Sequence, residues 1–153
     1  MIELNKKTQQ DFLNRKWVQK LLDAGVDMSD AKYCIERVNG IDYVGYIGYY
    51  KDIKPVGSLS MVPTYSTAEL MYKLQEWVYP VIDGHNHSGG IEFMKDAPFY
   101  FFYYNLRNID TDESNQAYLY AEDEYPICAL AELLLQCMTK GVGCVADISK
   151  KGR

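Results

Sequence analysis

Histidine is scarce in this chain of 153 residues: there are two, both in the stretch Asp83-Gly84-His85-Asn86-His87. Any chemistry that needs imidazole is therefore confined to one place. Phosphate cradles are missing too. No GxxxxGK[ST] occurs and no GxGxxG follows a strand. Gly141-Val142-Gly143 closes a helix rather than opening one, which is the wrong end for an anion. The GxSxG elbow of the α/β-hydrolases is also absent. Cysteines stand at 34, 128, 137 and 144, without a CxxC pair, so neither a zinc ribbon nor a disulfide scaffold is indicated. Cys128 and Cys137, nine residues apart on one expected helix, point to different sides, and the cysteines are read as free thiols that pack as small hydrophobes.

Positive charge is in deficit. Sixteen Lys and Arg face 21 Asp and Glu, a formal net charge of −5, which argues against general nucleic-acid binding. Lys51 and Lys54 lie close together and are read as part of a solvated loop. No apolar run is long enough for a bilayer span, and Met1–Lys7 lacks the apolar stretch of a secretory signal. The expectation is a cytoplasmic protein with no membrane partner and no cofactor.

Aromatic side chains are abundant instead, 14 Tyr and 5 Phe among them. Six stand in a row from Phe99 to Tyr104, directly after Pro98. Such a run does not suit a solvated helix. As a strand it sends rings to both faces of a sheet, so the expectation is a central strand covered on both sides.

The order of elements predicts an α+β fold, with an N-terminal helix plus β-hairpin followed by an α-β-β-β-α unit with an antiparallel sheet. The first helix is expected over 8–24, capped by Thr8 and closed by Gly25, with Phe12, Leu13, Trp17, Leu21 and Leu22 as its stripe. Asn39-Gly40 is a type I′ signal for a hairpin of 32–38 with 41–50, the alternative being a helix over 29–38. Gly45 and Gly48 suggest a bulge in its second strand. Residues 51–66, rich in Pro, Gly and Ser, read as a connection with a short strand at 58–62. They mark the boundary between possible sub-units 1–57 and 58–145 of a single domain. A second helix is expected over 67–79, capped by Ser66 or Thr67 and ended by Pro80. A polar loop follows over 83–90, then strands at 91–95, 98–105 and 117–121, and a final helix over 123–140 with Pro126 in its first turn.

Pro63-x-Tyr65, the helix from Ala68-Glu69-Leu70 to Glu76-Trp77-Val78, the aromatic hairpin, Tyr120 and Ala129-Leu130-Ala131-Glu132-Leu133-Leu134 together resemble a family of small uncharacterised proteins. These are encoded in phages, prophages and mobile elements of gut bacteria. The resemblance covers residues 63–141. It implies a helix, hairpin, Tyr, helix layout and no known activity.

Two groups of residues are candidates for function. His85, His87 and Asp83 are of metal-ligand type, since His85 and His87 point the same way in an extended chain. The plainer reading is a polar turn with its histidines in water. The letters His-Asn-His do not make a nuclease motif. Tyr43, Tyr46, Tyr49 and Tyr50 offer an interaction surface on the first hairpin, because Tyr suits half-wet contacts. The acidic runs Asp110, Asp112, Glu113 and Glu122-Asp123-Glu124 are read as a solvated face. The favoured function is a non-enzymatic accessory or interaction protein that associates with itself as a homodimer. The alternatives are a small metal-dependent hydrolase using His85 and His87, and a small-molecule or glycan binder using tyrosines.

Overall fold

The computed structural model describes residues 2–5, 11–48 and 61–142. Within them the fold is α+β, with three helices and two antiparallel sheets. In the first sheet β1 (Ile2–Glu3), β3 (Ile41–Tyr46), β2 (Tyr33–Val38) and β4 (Val62–Thr64) lie in the spatial order β1-β3-β2-β4. The second sheet is ordered β10 (Tyr120–Asp123), β8 (Phe99–Asn108), β7 (His85–Asp96), β5 (Trp77–Val78). Two short strands complete it, β6 (Val81–Ile82) on β7 and β9 (Ser114–Asn115) on β8. The helices are α1 (Arg15–Asp23), α2 (Thr67–Lys73) and α3 (Pro126–Thr139).

Local chemistry fixes several of these elements. Asn39 and Gly40 both take positive φ, 52° and 78°, as a type I′ turn demands. The β2–β3 ladder runs in unbroken register from Val38↔Ile41 to Tyr33↔Tyr46, which excludes the helical alternative for 29–38. Gly45 pairs regularly with Cys34, so the ladder has no bulge there. Ser66 and Glu69 close a reciprocal capping box on α2. Pro126 stands in the first turn of α3, where a missing N–H costs nothing, and Gly141 follows its end with φ 66°.

Four element boundaries need correction. The first helix starts at Arg15, capped by the Asn14 side chain, which accepts a hydrogen bond from the Trp17 N–H; Thr8 lies outside the described residues. The second helix stops at Lys73, six residues early. Trp77 and Val78, read as helical, form β5 and pair with Gly90 and Gly89. The glycine-rich segment 83–90 is a loop only at Asp83-Gly84, and from His85 it is strand. The last strand lies at 120–123 rather than 117–121. Residues 51–60 and 49–50 of the expected connection and hairpin fall outside the described residues.

The glycines in β7 have a packing reason. A Cβ on Gly89 would lie 2.3 Å from the Asn105 carbonyl oxygen, and one on Gly90 would lie 2.8 Å from the Trp77 ring. Glycine lets β8 and Trp77 close onto this strand.

One apolar core joins both sheets and all three helices, including Leu21, Ile35, Val44, Leu70, Tyr104, Leu106, Leu130 and Leu134. Gln136 of α3 ties down β10 by donating to the Tyr120 carbonyl and accepting from its N–H, at 2.6 and 3.1 Å. Buried polar groups anchor α2. Lys73 donates to Asp30 at 2.7 Å and to the Asp27 carbonyl at 3.2 Å, while Tyr65 donates to the other Asp30 oxygen at 2.5 Å. Burial, reinforced by the Asp30 carboxylate, pushes the Tyr65 hydroxyl far above its usual range, so it stays a donor.

The aromatic strand β8 is interior to its sheet, between β10 and β7. Its two faces differ, however. Phe102, Tyr104 and Leu106 point into the core and are buried, whereas Phe99, Phe101 and Tyr103 alternate onto the opposite face and keep contact with solvent. The expected cover on both sides is a cover on one, because all the packing helices lie against the face that carries Tyr104.

Candidate functional site

Two regions hold the chemistry. The first is a cleft at the end of β7. The tight turn at Asp83-Gly84 links β6 to β7 and pairs Ile82 with His85. Strand alternation then puts His85 and His87 on one face. They line a cavity of about 420 Å³ with Ile82, Asp83, Asn108, Thr111, Glu113, Ser114 and Asn115. His87 is buried, and its Nδ1 lies 2.9 Å from the His85 carbonyl oxygen. Because a carbonyl only accepts, Nδ1 is the donor of this contact. His85 is exposed, with Nδ1 3.5 Å from Asp110. The loop wall is built by Asn108, whose side-chain oxygen accepts from the N–H groups of Asp110 and Thr111.

The structure thus gathers His85, His87 and Asp83 around one cavity, together with Glu113, which lies far from them in sequence. Among the described residues, no group of three or more His, Cys, Asp or Glu side chains is arranged to hold a metal ion. The cleft is a polar pocket with one imidazole oriented by a backbone carbonyl.

The tyrosine surface does not assemble as one row. Tyr43 pairs with Glu36 and Tyr46 with Tyr33, three positions apart on β3, so the two side chains leave opposite faces of the sheet. Tyr46 is exposed and meets Tyr33 edge to face at 5.5 Å. Tyr49 and Tyr50 lie outside the described residues.

The second region is the distal half of the β7–β8 hairpin, where the sequence singled out the aromatic run but not an open backbone edge. The two strands pair continuously from His87↔Asn108 to Asp96↔Phe99. At its base β7 also has partners on its outer side: the N–H of His87 donates to the Pro80 carbonyl and that of Ile91 to the Glu76 carbonyl. Backbone groups alternate in direction along a strand, so Phe93 and Lys95 aim their N–H and C=O outward as well. There, among the described residues, no strand meets them. β10 covers the other edge of the hairpin, from Tyr100 to Tyr103. The distal half therefore presents one open backbone edge.

Its side chains are apolar and exposed. Phe93, Met94 and Phe99 keep 54%, 50% and 45% of their surface in contact with solvent. Phe93 leans on Phe102 at 5.0 Å and on Tyr100 at 6.1 Å, and Lys95 lies over the Tyr100 ring at 5.3 Å. Immediately beyond the open edge is a groove of about 470 Å³, lined by Met71, Tyr72, Leu74, Gln75, Glu76 and Trp77.

No family model, curated protein or solved structure matches the chain. Among the described residues, no helix is long and apolar enough to cross a membrane.

Proposed function

We propose that this chain is a non-enzymatic interaction protein whose working form is a homodimer joined through the distal β7–β8 hairpin. The observation that carries this is the coincidence of an unpaired backbone edge at Phe93–Lys95 with the exposed side chains of Phe93, Met94 and Phe99. An isolated open edge or a lone exposed Phe is ordinary, but the two together favour a partner strand. A second copy is the occupant that fits. Under a two-fold axis the same edge runs antiparallel to itself, and each copy offers outward N–H and C=O groups to the other. An accessory role of phage or mobile-element type belongs to the same reading, and a gene lying among capsid or lysis genes would agree with it.

Sedimentation equilibrium tests the dimer. The expected species has twice the chain mass of 17.6 kDa. Lys95→Pro is the matched variant. It removes an outward N–H and leaves the β7–β8 ladder intact, so it should yield a folded monomer. A wild-type protein that stays monomeric at ~100 μM overturns the reading.

A further inference from the structure

Resting on the dimer reading, we infer where each hairpin tip goes: it seats against the groove of Met71, Leu74 and Glu76 on the other copy, with Lys95 of one chain facing Glu76 of its partner. The placement follows from topology. β5 and the residue before it, Glu76, occupy the outer side of β7 as far as Ile91. The open edge begins directly after. A second copy of that edge, laid antiparallel in the same position, advances its tip toward the end of β5, where Glu76 and the groove lie.

Side-chain direction agrees. Phe93 pairs with Phe102, and Lys95 with Tyr100, on the face of the sheet that carries buried Tyr104. Tyr104 donates to the Gln75 carbonyl at 2.5 Å, so α2 and its following residues lie on that face. Continuing the β5–β7 register by one residue sets Glu76 opposite Ile91, on the same face again. A two-fold axis perpendicular to the sheet preserves faces, so the partner's tip arrives with Phe93 and Lys95 turned toward the groove. The groove supplies half-exposed Met71 for the apolar tip, and exposed Glu76 for the ammonium. Among the described residues, neither charge is engaged in an ion pair within its own chain. The two-fold repeats the contact, giving two Lys95–Glu76 pairs per dimer.

Charge exchange is the test. Glu76→Lys and Lys95→Glu each set like charges face to face twice in the dimer, and each should weaken dimerisation about tenfold. The double variant Glu76→Lys/Lys95→Glu restores opposite charges and should return the dissociation constant to within about twofold of wild type. Both positions are exposed, and urea unfolding of the variants verifies the fold. If the wild type dimerises and the single variants match it, the groove assignment fails while the dimer stands. Weakened single variants without rescue in the double variant also overturn the pairing. A monomeric wild type removes the dimer itself.

Discussion

The two halves of one hairpin differ more than their sequences do. At the base of β7–β8, Tyr104 and Leu106 are fully buried beneath the helices, and Tyr104 adds a hydrogen bond to Gln75. At the tip, Phe93 belongs to the same ladder, points to the same face and is equally apolar, yet about half its surface meets water. Strand register and ring chemistry are shared, and what changes is the cover. α2 and α3 reach as far as Tyr104 and Phe102, and beyond them, among the described residues, β7 has no neighbour on its outer side. The base of the hairpin is scaffold, and its tip is available surface.

Truncation should break this symmetry most visibly. Tyr104→Ala removes a fully buried ring and a hydrogen bond and should cost about 3–5 kcal/mol in urea unfolding. Phe93→Ala, at the same protein concentration but in a Lys95→Pro background that keeps the chain monomeric, should cost under ~1 kcal/mol, since half the ring is already wet. Equal losses would mean that the tip is structural. A smaller effect tests the strand crowding at the base. Gly89→Ala places a methyl group against the Asn105 backbone, which cannot swing away as a side chain can, and should cost about 1–3 kcal/mol. An unchanged unfolding midpoint would show that β7 and β8 separate there without penalty.

Much of the architecture was legible because local rules and tertiary packing agreed. Asn39-Gly40 specified its turn, Ser66 with Glu69 specified a helix start, and the apolar pattern from Ile127 to Met138 specified a buried helix. Misreadings arose where the rules competed. Leu70, Leu74 and Val78 keep helical spacing and are all buried, but Leu74 already has extended backbone, so spacing alone could not show the change to strand. Gly89 and Gly90 looked like loop because strand propensity ignores what an adjacent backbone or a Trp ring requires. The candidate sites show the same division. The two-residue spacing of His85 and His87 correctly put them on one face, while Glu113 and Asn115 reach the cleft through the β8–β9 pairing. The open edge at Phe93–Lys95 could not be read at all, since it depends on β5 being only two residues long.

The contrast between covered and open surface recurs on a small scale at Asp42, and gives the subtlest test. Two arginines donate to this carboxylate: Arg15 at 2.8 Å, from the start of α1, and Arg37 at 2.9 and 3.2 Å, across the β2–β3 hairpin. Partial burial acts to raise the Asp42 pKa, but the guanidinium hydrogen bonds and charges outweigh it and hold the carboxyl below its ordinary 3.8. A depressed folded pKa means a contribution that is complete above the unfolded value and is lost as pH falls through the folded one. Wild type should therefore exceed Asp42→Asn in stability by under ~1 kcal/mol at neutral pH, and this difference should shrink below about pH 4. The side chain of Arg15 is 22% exposed and that of Arg37 is 53%, so solvent screens the Arg37 pair more strongly. Arg15→Ala should accordingly destabilise more than Arg37→Ala, and added salt should reduce the Arg37 effect first. The reverse order in thermal melts would show that geometry across the hairpin, rather than cover, decides the strength of this cluster.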